Sequence, residues 1–209
     1  MRPRPSDRPE APSMIPSLNP SASPSNPVVL VGLSGSGKST VGELLARRWR
    51  IPFVDLDQEV EQAAGMSIPE IFRREGEDGF REREAEATRS VAPGGPVVVA
   101  TGGGWMPRPE LRDAWPTAVT VWLRVSPREA AKRLADLPGS RPLLVNESAE
   151  AVLEQLLEQR LPAYGLADYT VDTSARSPTE VAGMVAALLE KTGDGPGPDP
   201  NSHESRVEP

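Results

Sequence analysis

The stretch "PVVLVGLSGSGKSTVGELLARRW", residues 27–49, decides the fold. Its first part, "PVVLVGL" (27–33), is an unbroken apolar and β-branched run, which predicts a short strand buried on both faces of a parallel sheet. A turn rich in glycine and serine follows, and "KSTVGELLARRW" (38–49) is typical of a helix. A strand, a glycine-rich turn and a helix in this order predict the first unit of a parallel α/β fold.

The turn itself, "GLSGSGKST" (32–40), satisfies the pattern G-x-x-x-x-G-K-[ST] of phosphate-binding loops. In such a loop the backbone N–H groups and the helix N-terminus surround phosphate oxygens. The lysine brings a positive charge to the β- and γ-phosphates, and the hydroxyl that follows is placed to bind Mg²⁺. The alternative is a glycine-rich turn that matches by accident, but the flanking strand and helix favour a nucleoside triphosphate site. Its predicted residues are Gly35, Ser36, Gly37, Lys38, Ser39 and Thr40.

Strand-like and helix-like segments alternate through the rest of the chain. Short apolar runs separated by helical stretches indicate βαβ units, so we predict a three-layer α/β P-loop fold with about five parallel strands and helices on both faces. The further predicted strands are 52–55, 96–101, 118–125 and 169–173, and the further helices are 58–65, 68–92, 127–137, 148–165 and 177–191.

The composition excludes several classes of site. The 209 residues include no cysteine, which excludes disulfides and thiolate metal sites. The one histidine, His203, lies near the C-terminus, so catalytic triads and histidine-bound zinc have no donor in the predicted folded part. The formal net charge of −7 argues against a broad surface for nucleic acid or anionic membrane, because both require a positive field.

The two ends of the chain differ from its middle. Residues 1–27 and 192–209 are rich in proline with serine or glycine, so we expect disordered tails around one folded domain, residues 28–191. No run approaches the roughly 18 to 20 apolar residues that span a bilayer. The early arginines are not followed by the apolar segment of a secretory signal. We expect a cytoplasmic monomer that binds neither nucleic acid nor membrane.

Two aspartates lie in "FVDLD" (53–57), at the end of the second predicted strand. P-loop enzymes usually place an aspartate that supports Mg²⁺ at the end of a neighbouring strand, but the third strand ends in "VVVAT" without a carboxylate. Asp55 is therefore the candidate that supports Mg²⁺ together with Ser39. Asp57 is the candidate that hydrogen-bonds or deprotonates an acceptor hydroxyl, and its alternative is an N-cap of the next helix.

Three glycines, Gly102, Gly103 and Gly104, follow the third predicted strand. Together they cost about 2 to 3 kcal/mol of backbone ordering relative to alanine. They indicate either a second ligand-facing loop, whose backbone amides approach the acceptor opposite the P-loop, or a tight turn into the next helix. A tight turn explains one or two glycines more easily than three, which favours the ligand-facing loop.

Taken together, these stretches resemble shikimate kinase. The P-loop, "VDLDQEVEQAAGMSIPEIFRREGEDGFREREAEA" (54–87), the triple glycine, "SRPLL" (140–144) and "EQRLPAYGLADYTVDT" (158–173) occur in the order and approximate spacing of that family. The resemblance covers residues 28–190. It implies a nucleoside-monophosphate-kinase-like fold that transfers the γ-phosphoryl of ATP to the 3-hydroxyl of shikimate, with Mg²⁺, in the pathway to chorismate and the aromatic amino acids.

The resemblance also implies an acceptor site. Arg81 and Arg160 match the arginines that bind the shikimate carboxylate, and Asp57 matches the residue that holds the reacting hydroxyl. We expect Glu84, three residues after Arg81 along the helix, to hold its guanidinium in place. Without the resemblance, "REGEDGFREREAE" (74–86) also fits a solvated, charged helix face.

Residues 137–148 contain one arginine, Arg141, among glycine and prolines between two predicted helices. The resemblance implies a mobile lid in which Arg141 closes over the ATP phosphates and stabilises charge on the transferring phosphoryl. Arg133, near the end of the preceding helix, matches the position that stacks on adenine. The alternative for both arginines is a plain basic loop.

Two features depart from the family pattern. Leu56 stands between the two aspartates, where a small polar residue is common, and its side chain is expected to point away from both. Trp105 and Met106 follow the triple glycine in place of small aliphatic residues. They either pack against the lid and outer helices or reshape the acceptor pocket. The alternative functions are a kinase of another hydroxy acid such as gluconate, or a non-catalytic nucleotide-binding module.

Overall fold

Five parallel strands form one sheet in the order β2-β3-β1-β4-β5. The computed structural model describes residues 24–91, 95–136 and 149–192. The predicted lid (137–148) with Arg141, and residues 1–23 and 193–209 of the predicted tails, lie outside the described residues. The predicted parallel five-stranded sheet is confirmed. Its strands are β1 (Val28–Val31), β2 (Phe53–Asp55), β3 (Val98–Ala100), β4 (Val119–Arg124) and β5 (Tyr169–Asp172).

The helices follow the strands as predicted, and the ends of the predicted helices lie within two residues of those observed. The second helix begins two residues earlier than expected, at Leu56, because Asp55 caps it. The third helix is interrupted at Gly76, which has a non-helical φ of 72°. It therefore consists of two helical segments, where the sequence pattern predicts one continuous helix. A short helix of four residues was not predicted, since one turn has no detectable periodicity. The helices are α1 (Lys38–Trp49), α2 (Leu56–Ala64), α3 (Ile68–Ser90), α4 (Pro109–Arg112), α5 (Pro127–Ala135), α6 (Ala149–Tyr164) and α7 (Pro178–Thr192).

The sheet has a hydrophobic core on each face. In β1, Val29 and Val31 belong to the core beneath α2, α3, α5 and α6, whereas Val28 and Leu30 belong to the core beneath α1 and α7. Because alternate residues of a strand point to opposite faces, a strand that is buried on both sides needs an unbroken apolar run. This explains the composition of residues 28–31 and confirms the predicted three-layer architecture.

The strand order brings the sequence motifs to one edge of the sheet. β2, β3 and β1 are neighbours, so the loops after them lie side by side at the carboxyl ends of the strands, where open α/β proteins bind ligands. The triple glycine and the P-loop lie in two of these connections, and the aspartate pair spans the direct junction of β2 and α2. Across residues 24–91, 95–136 and 149–192, no helix combines the length and apolar character that crossing a membrane requires.

Candidate active site

The P-loop has the backbone that its glycines predict. Gly35 and Gly37 have φ angles of 80° and 92°, in the left-handed region that glycine adopts without strain. Gly37 caps α1, and Lys38 is the first helical residue. The Lys38 Nζ donates hydrogen bonds to the carbonyl oxygens of Gly32 (3.0 Å) and Leu33 (2.9 Å). The lysine ammonium therefore lies against the loop, at the positive end of the helix dipole.

The remaining predicted P-loop residues differ in exposure. Ser36 is buried within the loop, whereas Ser39 and Thr40 are exposed in the first turn of α1. The Ser39 hydroxyl donates a 2.5 Å hydrogen bond to Asp55 Oδ2. This contact joins the end of β2 to the start of α1, so the hydroxyl and the carboxylate that the sequence assigned to one magnesium site lie together.

Asp55, rather than Asp57, is the N-cap of α2. Its Oδ1 accepts a 3.1 Å hydrogen bond from the Asp57 backbone N–H. The alternative that Asp57 serves as the cap is therefore wrong, because α2 begins at Leu56 and places Asp57 inside the first turn. Leu56 is fully buried in the core, away from the pocket that Asp57 lines.

The Ser39 and Asp55 oxygens fit Mg²⁺ by their chemistry, because this ion prefers hard oxygen ligands. In the part of the chain that the structure describes, no group of three or more acidic or histidine side chains is arranged to hold a metal by itself. A hydroxyl and one carboxylate are the usual protein contribution where substrate phosphates and water complete the coordination of Mg²⁺.

A pocket of about 820 Å³ opens beside the P-loop. Its walls come from α2, both segments of α3, the triple glycine and α6, and Ser34 of the P-loop also reaches it. Apolar side chains line one part of it, including Phe72 and Phe80, whose rings stack with centroids 4.7 Å apart. The predicted acceptor residues that line the pocket are Asp57, Arg81, Gly102, Gly103, Gly104 and Arg160.

Each glycine of the triple glycine lies against a polar side chain of the pocket. A Cβ atom on Gly102 would lie 2.9 Å from Asp57 Oδ1, and one on Gly103 would lie 2.8 Å from Arg160 Nη1. A Cβ atom on Gly104 would overlap the Arg81 guanidinium, with Nη2 at 2.8 Å. The three residues do not have left-handed φ angles. Glycine is therefore needed here for close approach and not for an unusual backbone conformation.

Arg81 is held by two carboxylates of its own helix. Its Nη1 donates to Glu84 Oε2 at 2.9 Å, which confirms the predicted pairing, and its Nη2 donates to Glu77 Oε1 at 3.0 Å. Burial acts to lower the pKa of Arg81, but Glu84 and Glu77 outweigh it and raise that pKa above its ordinary value. Arg81 therefore stays charged, with its orientation fixed before any ligand binds.

Glu84 is a carboxylate inside the protein. Its side chain is 1% exposed, and its Oε2 accepts hydrogen bonds from both Arg81 and Arg108. Its Oε1 has no hydrogen-bond partner among the described residues and faces Gly102, as Asp57 does. Burial raises the pKa of the Glu84 carboxyl, the Asp57 charge adds to the rise, and the two arginines oppose it.

Arg160 lies on α6 together with a buried tyrosine. The Tyr164 hydroxyl donates a 2.7 Å hydrogen bond to the Gly103 carbonyl, and its ring stacks on Trp122 with centroids 5.5 Å apart. Burial raises the pKa of Tyr164, against the effect of Arg160, so the hydroxyl remains a donor. Tyr164 thus fixes the triple glycine to the helix that presents Arg160.

Arg133 lies on the other side of the P-loop, on α5. Its Nη2 donates to the Thr173 carbonyl at 2.8 Å, and its Nη1 donates to the Thr173 hydroxyl at 3.2 Å and to the Gly35 carbonyl at 3.5 Å. The guanidinium therefore lies between the P-loop and the end of β5.

A family model described as shikimate kinase matches residues 34–190, well over half of the chain. The chain belongs to the shikimate kinase family. Among its relatives, the shikimate kinase of Synechococcus sp. (strain CC9902) is 43% identical over 162 residues, which are 78% of this chain and 85% of that protein.

Solved structures agree with this family membership. The shikimate kinase from Acinetobacter baumannii in complex with shikimate is 34% identical, with a TM-score of 0.75 over 81% of this chain and 94% of that chain. A gluconokinase from Sinorhizobium meliloti 1021 is 24% identical, with a TM-score of 0.58 over 81% of this chain and 94% of that chain. That second likeness extends to the fold alone. The comparisons thus favour a shikimate kinase over a gluconate kinase.

Trp105 and Met106, which depart from the shikimate kinase pattern, are both buried with 1% exposure. The Trp105 indole N–H donates a 3.1 Å hydrogen bond to the Thr88 hydroxyl of α3, and its ring lies 5.4 Å from that of Trp115. Neither residue lines the acceptor pocket. Of the two alternatives, packing is therefore the observed one, and its partners are α3 and Trp115.

Three residues around this shikimate kinase pocket were missed by sequence reasoning. Glu77 and Tyr164 each lie four residues from a predicted arginine on the same helix, and that spacing is a signal that predicts contact. Arg108 gave no such signal. It reaches Glu84 across 24 residues of sequence, and only the tertiary fold brings them together.

Proposed function

We propose that the chain transfers the γ-phosphoryl group of ATP to the 3-hydroxyl group of shikimate, giving shikimate 3-phosphate for chorismate and aromatic amino acid biosynthesis. The observation that carries this proposal is the meeting of Asp57, Arg81 and Arg160 in one pocket that also reaches the P-loop. An acceptor with a carboxylate and several hydroxyls needs cationic groups at one end and a hydrogen-bond acceptor at the other. The pocket provides both, and membership of the shikimate kinase family supports this acceptor.

In this proposal, Arg81 and Arg160 bind the shikimate carboxylate. A planar guanidinium pairs with a carboxylate through two parallel hydrogen bonds, which fixes orientation as well as charge. Arg81 is already oriented by Glu84 and Glu77, so little side-chain entropy is lost when the acceptor binds. Gly102–Gly104 form the wall between the two arginines and Asp57.

Asp57 holds the reacting hydroxyl and accepts its proton. The hydroxyl oxygen forms a bond to the γ-phosphorus, and the bond from that phosphorus to the β–γ bridging oxygen breaks, so that ADP leaves with the electron pair. Lys38 stabilises the charge on the phosphates. We assign to Arg141, in the predicted lid, the same stabilisation of phosphate charge. We assign to Arg133 the stacking contact with adenine. Because phosphoryl transfer depends mainly on positioning and charge, Asp57 contributes as much by orienting the hydroxyl as by taking its proton.

Ser39 and Asp55 are the residues that would hold Mg²⁺, which when bound neutralises part of the phosphate charge. One chain by itself brings Asp57, Arg81 and Arg160 to one pocket beside the P-loop, so we propose that the monomer is the active form. ATP as the co-substrate favours a cytoplasmic location.

The proposal is tested by supplying the purified full chain with ATP, Mg²⁺ and a panel of acceptors. The panel contains shikimate, its 3-deoxy analogue, gluconate and a sample without acceptor, and ADP release is measured for each. We expect ADP release with shikimate only. Release with the 3-deoxy analogue would move the reaction to another hydroxyl, and release with gluconate alone would identify a sugar-acid kinase. Nucleotide binding without release for any acceptor would indicate a non-catalytic nucleotide-binding module.

A further inference from the structure

Arg108 lies outside the acceptor pocket and contacts two groups that orient Arg81. Its Nη1 donates to the Arg81 carbonyl at 3.1 Å and to Glu84 Oε2 at 3.3 Å, and its Nε donates to Glu110 Oε1 at 2.7 Å. Its side chain is 22% exposed, so much of it is removed from water. One arginine thus touches both the main chain of Arg81 and the carboxylate that holds the Arg81 guanidinium.

The backbone of Arg108 is fixed relative to the triple glycine. The Trp105 N–H donates to the Gly102 carbonyl at 3.2 Å, and the Arg108 N–H donates to the Trp105 carbonyl at 3.1 Å. Arg108 is also the N-cap residue of α4, whose Leu111 N–H donates back to its carbonyl at 3.2 Å. Two successive turns therefore connect the triple glycine to Arg108, and the Arg108 side chain contacts α3.

The charges around Glu84 give Arg108 a second effect. Arg81 is paired with two carboxylates, Glu77 and Glu84, and the Asp57 carboxylate also faces Glu84. Without Arg108, the buried Glu84 would keep Arg81 as its partner and would compete more strongly with a substrate carboxylate for that guanidinium. By sharing Glu84 Oε2, Arg108 offsets part of this negative charge and leaves Arg81 available to an anionic ligand.

We propose that Arg108 is a positioning residue of the acceptor site, which sets the orientation and the free charge of Arg81 through Glu84 and the Arg81 main chain. The inference rests on the proposed function, since the ligand that Arg81 receives is the shikimate carboxylate. It predicts that Arg108 affects the acceptor and leaves the nucleotide unaffected, because its contacts lie on the α3 side of the pocket.

The test compares steady-state constants of the full chain with those of Arg108→Gln, Arg108→Lys and Arg89→Gln. Arg89 is an exposed arginine in the same outer depression of α3, so its replacement removes the same charge without touching Glu84 or Arg81. We expect Arg108→Gln to raise the KM for shikimate about tenfold and to leave the KM for ATP within about twofold. Arg108→Lys keeps the positive charge but loses the planar guanidinium, so we expect its KM for shikimate to lie between those of the unchanged chain and Arg108→Gln. Arg89→Gln leaves both KM values unchanged.

A double-substitution cycle identifies the route of the effect. If Arg108 acts through Glu84, Arg108→Gln raises the KM for shikimate less in a Glu84→Gln background than in the unchanged chain. An unchanged KM for shikimate in Arg108→Gln overturns the proposal, as does an equal rise in both KM values. If Arg108→Gln does not fold, Arg108→Lys provides the same test: the proposal requires a raised KM for shikimate with an unchanged KM for ATP. Failure of the unchanged chain to phosphorylate shikimate would instead reject the proposed function, which separates the two failures.

Discussion

At the scale of single residues, Asp57 is the side chain closest to the proposed chemistry. Asp55 rather than Asp57 caps α2, and the Asp57 carboxylate lies against the wall formed by Gly102. We predict that Asp57→Asn lowers kcat by about 10²- to 10⁴-fold, because the amide cannot accept the hydroxyl proton. ATP binding, measured by calorimetry, stays within about twofold.

The matched control for this substitution is Asp78→Asn, at an exposed aspartate on the outer side of α3. It removes the same charge and leaves kcat unchanged. Turnover in Asp57→Asn equal to that of the control would show that Asp57 takes no part in the transfer.

Glu84 gives a prediction about pH. Because burial raises its pKa, its proton is bound more tightly in the folded state than in the unfolded state. Its contribution to stability is then complete below its ordinary pKa of about 4.5 and is lost as pH rises through the raised pKa. Glu84→Gln stays neutral, so its free energy of unfolding relative to the unchanged chain should rise as the pH increases above about 4.5.

Urea unfolding of Glu84→Gln at a series of pH values measures this difference. A difference in hydrogen bonding between the amide and the protonated carboxyl adds a constant offset, and the slope reports the net effect of burial and of the ion pairs that ionised Glu84 forms with Arg81 and Arg108. Glu86→Gln, at an exposed position of the same helix, should show no such slope. A difference that falls as pH rises would contradict the prediction.

Some of these residues could be identified from the sequence and others could not. Arg81 and Glu84 lie three residues apart on a helix, so their contact follows from helical geometry alone. The acceptor roles of Arg81 and Arg160 came from the family resemblance, since a charged helix face offers no other reason to choose them. The contact of Arg108 with Glu84 depends on the path of a loop between two elements, which no local pattern records.

At the scale of elements, we expect substitutions in the loop between β3 and α4 to affect acceptor binding more than stability. An alanine at Gly104 would press its Cβ atom on the Arg81 guanidinium, the far end of a flexible side chain that can move aside. We therefore predict that Gly104→Ala costs less than about 1 kcal/mol of stability but raises the KM for shikimate about tenfold. Thermal unfolding and steady-state kinetics on one preparation measure both effects.

Gly183→Ala is the control for this loop substitution. Gly183 lies in α7, where a Cβ atom would meet nothing within 4 Å, so alanine should stabilise the helix by about 0.4 to 1 kcal/mol and leave both KM values unchanged. If Gly104→Ala changed stability and left the KM for shikimate as it was, the loop would have a folding role only.

Element boundaries show where sequence patterns lose resolution. The N-terminus of α2 lies two residues before its predicted start, because Asp55 was counted as the end of a strand and also serves as a cap. The hydrophobic periodicity does not predict the interruption at Gly76, because a single residue with positive φ changes the direction of the helix without changing the composition around it. α4 spans only four residues, less than the length over which a period can be counted.

At the scale of the whole molecule, the order of the strands determines the site. The sequence predicts parallel strands from their apolar runs, but it does not state which strands are neighbours, because pairing joins residues far apart in the chain. β3 lies between β2 and β1, and this arrangement places the triple glycine between the aspartates and the P-loop. The separate motifs become one site only through this order.

A shortened chain tests how much of the molecule the activity needs. Residues 24–192 contain both hydrophobic cores, the buried Pro24 and the complete α7. We predict that this segment retains kcat and both KM values within about twofold of the full chain, because the sites proposed for ATP and shikimate lie within it. Thermal unfolding under the same conditions should give a similar midpoint, and a large loss of activity at unchanged midpoint would assign a catalytic role to the removed ends.

The triple glycine also bears on resistance to inhibitors. Gly102, Gly103 and Gly104 present only backbone atoms, and each lies against a different acceptor side chain. A substitution that shortens a side chain cannot weaken the binding of a compound that contacts only this backbone, because glycine has no side chain. Any larger residue would move Asp57, Arg81 or Arg160 together with the compound. Escape from such an inhibitor would therefore be paid in turnover of the natural acceptor.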